Sequence, residues 1–348
     1  MFKTDSRRFT KIFPEGSFKD KTILVTGGTG SFGKAFVQAC LDRLDLKKLI
    51  IFSRDEQKQF DMHEEFSTHP KHSILRYFIG DIRDIDRLDM AMRDVDHVIH
   101  AAALKHVPIA EYNPFECIQT NVQGTQNVVM ASLRNKVQKV IIISTDKAVN
   151  PVNLYGASKL SAEKIMIASN HLSGTIKTRF SVVRYGNVVA SRGSVIPLFK
   201  RFIERGEKFL PITDPRMTRF WLRLEEGVDF VLSSLNLMRG GEIFVPKISS
   251  MKVSDIARWM APHLEHKVIG IRPGEKLHET LLTQNEASYT MDLKDRYVVQ
   301  PFSIFDDHLT FDPKTSQKVD DDFCYSSDQN PTFLDINDLP KLMQGMAA

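Results

Sequence analysis

Two short segments of the chain combine side chains that can move protons. The first is Ser144-Thr145-Asp146-Lys147, which directly follows an apolar run. The second contains Tyr155 and Lys159, whose spacing of four places both on one face of a helix. A cation beside a phenol favours the phenolate, and so brings a base with an ordinary pKa of about 10 into working range. The two segments together predict acid–base chemistry, with Lys159 also able to hold a ribose.

Alternating strands and helices must position these segments. Apolar, β-branched runs alternate with amphipathic stretches, which predicts right-handed crossovers and a parallel sheet covered on both faces. The predicted strands are residues 22–25, 49–52, 75–79, 97–101, 139–144 and 180–184. The predicted helices are residues 32–44, 56–66, 85–92, 110–133 and 154–169. We therefore expect an α/β fold with a Rossmann-type doubly wound sheet, whose ligands bind at the carboxyl ends of the strands.

A glycine-rich turn follows the first predicted strand. Its glycines at 27, 30 and 33 would let the chain turn tightly, approach a pyrophosphate and pack the next helix on the strand. The amino end of that helix would face the phosphates with unpaired N–H groups. The residues predicted to bind the cofactor here are Thr26, Gly27, Thr29, Gly30, Ser31, Phe32 and Gly33.

The end of the second predicted strand indicates which dinucleotide is bound. A site for NAD usually has a carboxylate here, whereas this chain has Ser53 and Arg54, a hydroxyl and a guanidinium suited to a 2′-phosphate. Asp55 is expected to cap the next helix, with Lys58 as a second cation near the phosphate. These residues favour NADP over NAD. Further cofactor contacts are expected from the ends of the next two strands, at Asp81, Ile82, Ala101, Ala102 and Ala103.

The second half of the chain differs from the first in composition and in the spacing of its apolar residues. Residues 186–219 are rich in Gly, Pro, Ser and Arg, with a helix predicted over 196–205. Helices are also predicted over 220–238 and 253–264, strands over 242–245 and 267–270, and only weak periodicity from 283 onward. We predict an NADP-binding Rossmann domain over residues 1–185, to which 220–246 returns. A smaller α/β substrate-binding domain over 186–348 would cover the carboxyl ends of the strands.

The composition, with 42% hydrophobic and 26% charged residues, fits a soluble globular protein. The net charge of +4 is spread along the chain without a basic stripe, which disfavours a nucleic-acid partner. No apolar run approaches the roughly eighteen residues of a membrane span, and the start lacks the apolar stretch of a signal peptide. Three cysteines, far apart, predict reduced thiols in the cytoplasm. His263 and His266 lack a carboxylate partner at metal spacing, so no metal site is expected.

A set of motifs resembles one family in particular, the inverting UDP-N-acetylglucosamine 4,6-dehydratases of the extended short-chain dehydrogenase/reductase superfamily. The resemblance covers residues 17 to about 340, and its motifs are TGGTGSFG, FSRDE, GDIRD, AAALKHVP, STDKAVNPVNLYGASK, VVRYGNVVASRGSVIP, ITDPRMTRFW and GIRPGEKLHE. Related dehydratases acting on dTDP-glucose carry Thr-Asp-Glu in place of Thr145-Asp146-Lys147. Membrane-anchored retaining relatives usually have Met in place of Tyr155. The departures, an amino-terminal extension and extra residues around 69–74, touch no motif.

The resemblance implies the roles of the catalytic residues. Tyr155 would remove the proton of the 4-hydroxyl while a hydride leaves carbon 4 for NADP, and Thr145 would hydrogen-bond the oxygen on carbon 4. Lys147, as a neutral amine, would remove the proton of carbon 5, which requires its pKa to be lowered by partial burial beside Lys159 and the nicotinamide. Asp146 would protonate the departing 6-hydroxyl. Tyr155 and Lys147 are both candidates for returning a proton to carbon 5.

The resemblance also implies the substrate, the pathway and the assembly. The product would be the 4-keto-6-deoxy L-arabino sugar nucleotide that opens pseudaminic-acid-type polysaccharide biosynthesis, and the enzyme would be a homo-oligomer, dimer or hexamer. Arginines suit a diphosphate because their forked donors bind its oxygens in pairs. Motif positions predicted to lie near the UDP-sugar are Lys105, Asn187, Arg192, Thr213, Arg216, Arg219, Arg272 and Glu275.

Two other functions are compatible with part of this pattern. A UDP-N-acetylhexosamine 4-epimerase needs only the Tyr155/Lys159 pair, and Asp146 with Lys147 argues against it because epimerisation loses no water. A non-enzymatic NADP-binding protein is the other alternative, although such proteins typically lose the Tyr or the Lys.

Overall fold

A ten-stranded sheet forms the centre of the protein in a computed structural model, which describes Phe9 and residues 16–189, 194–301, 311 and 316–342. Its first six strands in sequence are β1 (Thr22–Thr26), β2 (Lys48–Ser53), β3 (Leu75–Ile79), β4 (His97–His100), β5 (Lys139–Thr145) and β6 (Arg179–Tyr185). They are all parallel, in the order β3-β2-β1-β4-β5-β6. Every residue of β1 is buried, as expected for a strand covered on both faces. The predicted doubly wound fold is confirmed.

Helices cover this part of the sheet on both faces. They are α1 (Ser31–Arg43), α2 (Glu56–Phe66), α3 (Ile85–Ala91), α4 (Val107–Tyr112), α5 (Pro114–Ile118), α6 (Gly124–Arg134) and α7 (Leu154–Ala168). The single helix predicted over 110–133 is wrong, because the chain breaks at Asn113 and passes through a π-helical turn, Gln119–Gln123. Pro114 has no N–H to donate and excludes the helical conformation for the residue before it, so Asn113 has φ −123° and ψ 65°.

The second half of the chain forms smaller sheets and rejoins the large one. Its helices are α8 (Val195–Glu204), α9 (Leu224–Leu237), α10 (Val253–Met260), α11 (Gln284–Ala287) and α12 (Leu339–Leu342). Its strands are β7 (Asn187–Val188), β8 (Phe209–Ile212), β9 (Thr218–Leu222), β10 (Ile243–Pro246), β11 (Ser249–Lys252), β12 (Glu265–Val268), β13 (Thr280–Leu282), β14 (Thr290–Leu293), β15 (Arg296–Val299), β16 (Gln317–Lys318) and β17 (Tyr325–Ser326).

Two of the helices predicted in this half are shorter than expected. The helix predicted over 220–238 begins only after Arg223, because Phe220 and its neighbours are the fully buried strand β9, paired with β11 and β7. The Glu226 carboxylate accepts the Arg223 N–H at 3.1 Å and so caps the true helix start. The helix predicted over 253–264 ends at Met260, since Ala261 precedes a proline and leaves the helical conformation, with φ −148° and ψ 72°.

The chain returns to the large sheet through β10, which lies parallel to β6, and α9 packs against α1 with an Arg43–Asp229 ion pair. This is the return predicted for residues 220–246. Strands β14, β15 and β16 extend the same sheet in antiparallel order, which the weak periodicity after residue 283 did not predict. The sheet therefore includes strands from the half assigned to substrate binding, and the division into two domains stays a prediction.

Buried apolar clusters hold these layers together, and two of them contain most of the core. The larger lies on both faces of the ten-stranded sheet, and the smaller joins α8, α10, β8 and β9 through Phe199, Ile256, Leu210 and Trp221. The carboxyl ends of β1, β4, β5 and β6 face the smaller cluster across a cavity. Across the described ranges of the chain, no helix combines the length and apolarity needed to cross a membrane.

Candidate active site

A cavity of about 880 Å³ runs along the carboxyl ends of the strands, where the fold class places its ligands. Both halves of the chain line it. From the predicted set, the lining residues are Gly27, Thr29, Gly30, Ser31, Phe32, Gly33, Ser53, Arg54, Asp55, Lys58, Asp81, Ile82, Ala101, Ala102, Ala103, Lys105, Thr145, Lys147, Tyr155, Lys159, Asn187, Thr213, Arg219, Arg272 and Glu275. Its volume lies in the range of ligand-binding clefts.

The glycine-rich turn has the geometry of a phosphate cradle. Gly27 has φ +67°, and a Cβ on it would lie 2.9 Å from the backbone of Ala102. A Cβ on Gly33 would lie 2.3 Å from the carbonyl oxygen of Gly28, so the helix packs on the turn as closely as backbone allows. Helix α1 begins after Gly30 without a side-chain cap. Its first N–H groups therefore face the cavity and fit a pyrophosphate.

Thr26, predicted to contact the cofactor, lies behind the cavity instead. Its hydroxyl donates to His100 Nδ1 at 2.8 Å and accepts the Ala102 N–H at 3.2 Å. The Thr125 hydroxyl donates to the Asn121 carbonyl, so it accepts from His100 Nε2 at 3.1 Å. Burial lowers the pKa of His100 to about 3, and the ring is neutral. Thr26 thus ties β1 to β4 under the site, because its hydroxyl is committed to this buried network.

Charged side chains gather where the second and third strands end. Arg54 is half exposed, and its guanidinium lies 3.5 Å from Asp81. Arg83 donates twice to the same Asp81 oxygen, at 2.8 and 3.0 Å, and despite partial burial these bonds lower the pKa of Asp81. Asp55 accepts the Lys58 N–H at 3.0 Å and pairs with the Lys58 ammonium at 2.7 Å. The prediction that Asp55 caps α2 is confirmed.

The strand end of β5 carries a buried acid–amine pair. Asp146 is fully buried behind Thr145 and Lys147 and does not itself line the cavity. Its Oδ1 accepts from the Thr145 hydroxyl at 2.8 Å and from Lys147 Nζ at 3.0 Å. Lys147 also donates to Asn187 Oδ1 at 3.3 Å, and about a quarter of its side chain is exposed to the cavity. Asp146 is therefore linked to the cavity by its hydrogen bonds to the side chains of Thr145 and Lys147.

The expected lowering of the pKa of Lys147 is wrong for this arrangement. Burial alone would lower it, but the charges of Asp146 and Glu279 outweigh burial and raise the pKa of Lys147 above its usual value. Lys147 is an ammonium in this arrangement, since its N–H groups point at acceptors. Burial does lower the pKa of two other lysines that line the cavity, Lys276 and Lys159, and it lowers that of Lys159 to about 8 against the attraction of Glu163.

Tyr155 and Lys159 lie on one face of α7, as predicted. Asn153 starts this helix by accepting the Gly156 N–H at 2.7 Å, and a Cβ on Gly156 would lie 2.1 Å from the Lys147 carbonyl oxygen. The helix is thus packed closely against the loop that carries Asp146 and Lys147. Burial raises the pKa of Tyr155 to about 12, against the lowering by the Lys147 charge and a hydrogen bond with Thr145. The expected lowering of this pKa is not found, because burial is the larger effect.

The residues predicted to hold the substrate divide into three groups. Those that line the cavity are Lys105, Asn187, Thr213, Arg219, Arg272 and Glu275. Arg216 lies outside it, with a side chain about 71% exposed and paired at 2.8 Å with Asp214. The Asp214 side chain also accepts the Arg216 backbone N–H, which closes a tight local turn that points the guanidinium away. Arg192 lies outside the described residues.

Two residues at the site were missed in the sequence. Glu279 is 3% exposed, and its Oε1 lies 3.6 Å from Lys147 Nζ and 3.6 Å from Arg219 Nε. Lys276 lines the cavity beside it and donates to the Val149 carbonyl oxygen. The signal available was the segment Gly274-Glu275-Lys276-Leu277-His278-Glu279, which carries a second Glu four residues after the one that was predicted. Among the described residues no group of three or more His, Cys, Asp or Glu side chains could hold a metal ion.

The protein is of the extended short-chain dehydrogenase/reductase class. Three features indicate this: the order of the strands in the sheet, the phosphate cradle, and the helix face that carries Tyr155 and Lys159. The sequence profile of the family described as polysaccharide biosynthesis proteins matches residues 23–301. The chain belongs to this family.

Three known proteins are similar to this chain over most of its length. An inverting UDP-N-acetylglucosamine 4,6-dehydratase of Campylobacter jejuni subsp. jejuni serotype O:23/36 is 54% identical over 92% of this chain and 97% of its own. The solved structure of Pen from Bacillus thuringiensis matches with a TM-score of 0.85 and 36% identity, over 94% of this chain and 98% of that one. A UDP-glucose 4-epimerase of Rickettsia conorii is 46% identical over 80% of this chain and 83% of its own. The resemblance drawn from the motifs is confirmed.

Proposed function

We propose that the chain is an NADP-dependent 4,6-dehydratase of UDP-N-acetylglucosamine that inverts carbon 5. The observation that carries this proposal is the Asp146–Lys147 pair, 3.0 Å apart at the end of β5, beside Tyr155 in the cavity. Removing water needs both a base and an acid, and in this pair Lys147 would be the base and Asp146 the acid. The relative at 54% identity that bears this activity in its name supports the choice of substrate.

The first proton is taken by Tyr155 in its phenolate form, after the phenol has released its own proton to solvent; the Lys147 charge beside it and the positive ring of a bound dinucleotide would favour this form. The phenol lies on α7 next to Thr145, whose hydroxyl would hold the oxygen on carbon 4 while Tyr155 removes its proton. What the dinucleotide would supply, when bound, is a positively charged ring and a reversible hydride store. The cradle at Gly30, with uncapped N–H groups, fits its pyrophosphate. Lys159, buried one turn further along the same helix, would hold the nicotinamide ribose.

Water loss follows from moving one proton within the buried pair. Transfer from the Lys147 ammonium to the Asp146 carboxylate, over the 3.0 Å contact, gives a neutral amine and a carboxylic acid. The amine then removes the proton of carbon 5, which the 4-keto group has acidified. The acid protonates the departing 6-hydroxyl through the Thr145 hydroxyl, which is hydrogen-bonded to Asp146 and faces the cavity. Lys147 ends as ammonium and Asp146 as carboxylate, so the pair is restored.

The alternative on the same scaffold is a UDP-N-acetylhexosamine 4-epimerase, supported by relatives named as epimerases at 46% identity. Such an enzyme needs Tyr155 and Lys159 but has no use for a buried acid–amine pair, since it loses no water. A non-enzymatic NADP-binding protein has no use for either pair. We also propose a cytoplasmic homo-oligomer acting in pseudaminic-acid-type polysaccharide biosynthesis, with Arg219 and Arg272 near the substrate diphosphate.

One reaction distinguishes these functions. Incubated with UDP-N-acetylglucosamine and no added cofactor, the purified protein should release a product lighter by one water. In deuterated water the product should carry deuterium at carbon 5, and a label at carbon 4 should appear in the new methyl group. Proton NMR at the earliest times should identify the L-arabino product. An isomer of unchanged mass would establish the epimerase instead, and a D-xylo product would make the enzyme retaining.

The choice of NADP is tested at Arg54. An Arg54→Asp variant should bind NADP more weakly by about 1.5–3 kcal/mol, the usual worth of a hydrogen bond to a charged group. The reason is that the guanidinium lies half exposed at the cavity edge, where it can meet a 2′-phosphate beside its long contact with Asp81. The measurement is NADP titration together with the dinucleotide content of the purified protein. Arg93→Asp, the same charge change at another exposed arginine, is the control. NAD as the bound species, with Arg54→Asp binding as the wild type does, would contradict the assignment.

A further inference from the structure

A second buried carboxylate faces the catalytic lysine. Glu279 is 3% exposed, and its Oε1 lies 3.6 Å from Lys147 Nζ. Its Oε2 accepts no hydrogen bond within the described part of the chain and lies 3.7 Å from Lys276 Nζ. A carboxylate buried at this depth is costly unless cations compensate it, and three surround this one: Lys147, Lys276 and Arg219.

The backbone holds this carboxylate in place. The Glu279 N–H donates to the Ser327 hydroxyl at 2.9 Å, and the Ser327 N–H donates to the Glu279 carbonyl at 2.8 Å. The same segment is hydrogen-bonded to the loop between Lys147 and α7, since Asn153 donates to the Gly274 carbonyl at 2.8 Å and Lys276 to the carbonyl of Val149. Glu279 therefore lies beside Lys147 on a segment that hydrogen bonds hold both at Ser327 and at the loop after Lys147.

We propose that Glu279 is a positioning residue that holds the Lys147 amino group toward the cavity and governs how readily it takes the proton of carbon 5. This inference rests on the proposed dehydratase function. The Lys147 ammonium donates hydrogen bonds to Asp146 Oδ1 (3.0 Å) and Asn187 Oδ1 (3.3 Å), and its Nζ lies at ion-pair distance from Glu279 Oε1 (3.6 Å). Glu279 is thus the third group in contact with this ammonium, and its contact is the longest of the three.

The charges around Lys147 set the sign of the expected effect. Asp146 on its own loop and Glu279 before β13 favour the ammonium; Arg219 on β9 and the neighbouring Lys276 oppose it. Tyr155 on α7 also faces it and is neutral at ordinary pH, since burial raises the pKa of the phenol to about 12. Removing the Glu279 charge therefore lowers the pKa of Lys147, and removing the Lys276 charge raises it.

The test is the pH dependence of proton removal in Glu279→Gln, which keeps the side-chain shape. The substrate carries deuterium at carbon 5. The measured quantity is the loss of this deuterium to solvent, summed over recovered substrate and product, because this exchange needs the neutral amine of Lys147 but not the proton on Asp146. In the wild type the rate should rise with pH through the alkaline range, because the neutral amine becomes more abundant. In Glu279→Gln the rise should occur about 1–3 pH units lower, the usual effect of one nearby charge. Lys276→Gln should move it the other way.

Two comparisons make the outcome decisive. Glu265→Gln, the same change at an exposed glutamate of β12, should leave the rise where it is in the wild type. Thermal unfolding checks that each variant is folded; if Glu279→Gln is not, the direction of the Lys276→Gln shift decides. A rise that stays at the wild-type pH in the folded variants overturns the inference while the enzyme still releases water. A wild type that releases no water overturns the proposed function itself.

Discussion

A Tyr155→Phe variant should turn over UDP-N-acetylglucosamine at least about a hundredfold more slowly than the wild type, the normal scale of general acid–base catalysis. The substitution removes only a hydroxyl from a side chain that is 9% exposed, so the packing of the ring in its pocket is kept. The lost group is the one proposed to take the proton from the 4-hydroxyl, without which no 4-keto sugar forms. Initial rates from product mass, at matched NADP content, measure the effect.

Tyr112→Phe is the control for this variant, because Tyr112 is 87% exposed on α4 and outside the cavity. It should be as active as the wild type. The melting temperatures of both variants should stay near that of the wild type, since neither hydroxyl supports the core. Turnover within a few-fold of normal in Tyr155→Phe would remove the phenol from the proton path and leave the first step without a base.

The parts of the site that could be predicted from sequence are those set by neighbours along the chain. Tyr155 and Lys159 share a helix face because of their spacing, and the turn at Gly27 is required by backbone geometry. The parallel direction of the first six strands follows from the alternation of short apolar runs with helices. The fold class and the position of these motifs at the strand ends were therefore predicted correctly.

The parts that could not be predicted depend on contacts between distant segments. The strand at Phe220 and the helix after it are separated in sequence by Arg223 alone, and the boundary between them depends on the pairing of β9 with β11 and β7. Strands of two to four residues such as β14 and β16 are too short to show a period. Thr26 belongs to a motif that suggests a ligand contact, yet its hydroxyl is hydrogen-bonded to the buried His100.

The protonation state of Lys147 also depends on contacts between distant segments, and so it could not be predicted from the sequence. Burial was foreseeable from its position at a strand end, and burial alone lowers the pKa of a lysine. The opposite result comes from Glu279, a side chain on a segment far along the chain, together with the adjacent Asp146. A pKa is set by the sum of burial and charge, and the second contribution is visible only once the chain is folded.

The largest effects are expected at the acid–amine pair itself. Lys147→Ala should lower turnover by about a hundredfold or more, because no other amine lies in contact with Asp146 in the described structure. Lys164→Ala, which removes an exposed lysine from α7, is the control and should be fully active. Near-normal turnover in Lys147→Ala, measured as release of water from the substrate, would make this lysine a bystander.

Asp146→Asn separates the two halves of the elimination. Asparagine keeps the size of the fully buried side chain but cannot carry the proton for the departing hydroxyl. Losing the carboxylate also lowers the pKa of Lys147, since the Asp146 charge is what raises it most. Exchange at carbon 5 in deuterated water should therefore continue while water release slows, and a 4-keto sugar that keeps its 6-hydroxyl should accumulate. Lys147→Ala should show neither exchange nor water loss. The reverse pattern, exchange in Lys147→Ala and none in Asp146→Asn, would make Asp146 the base.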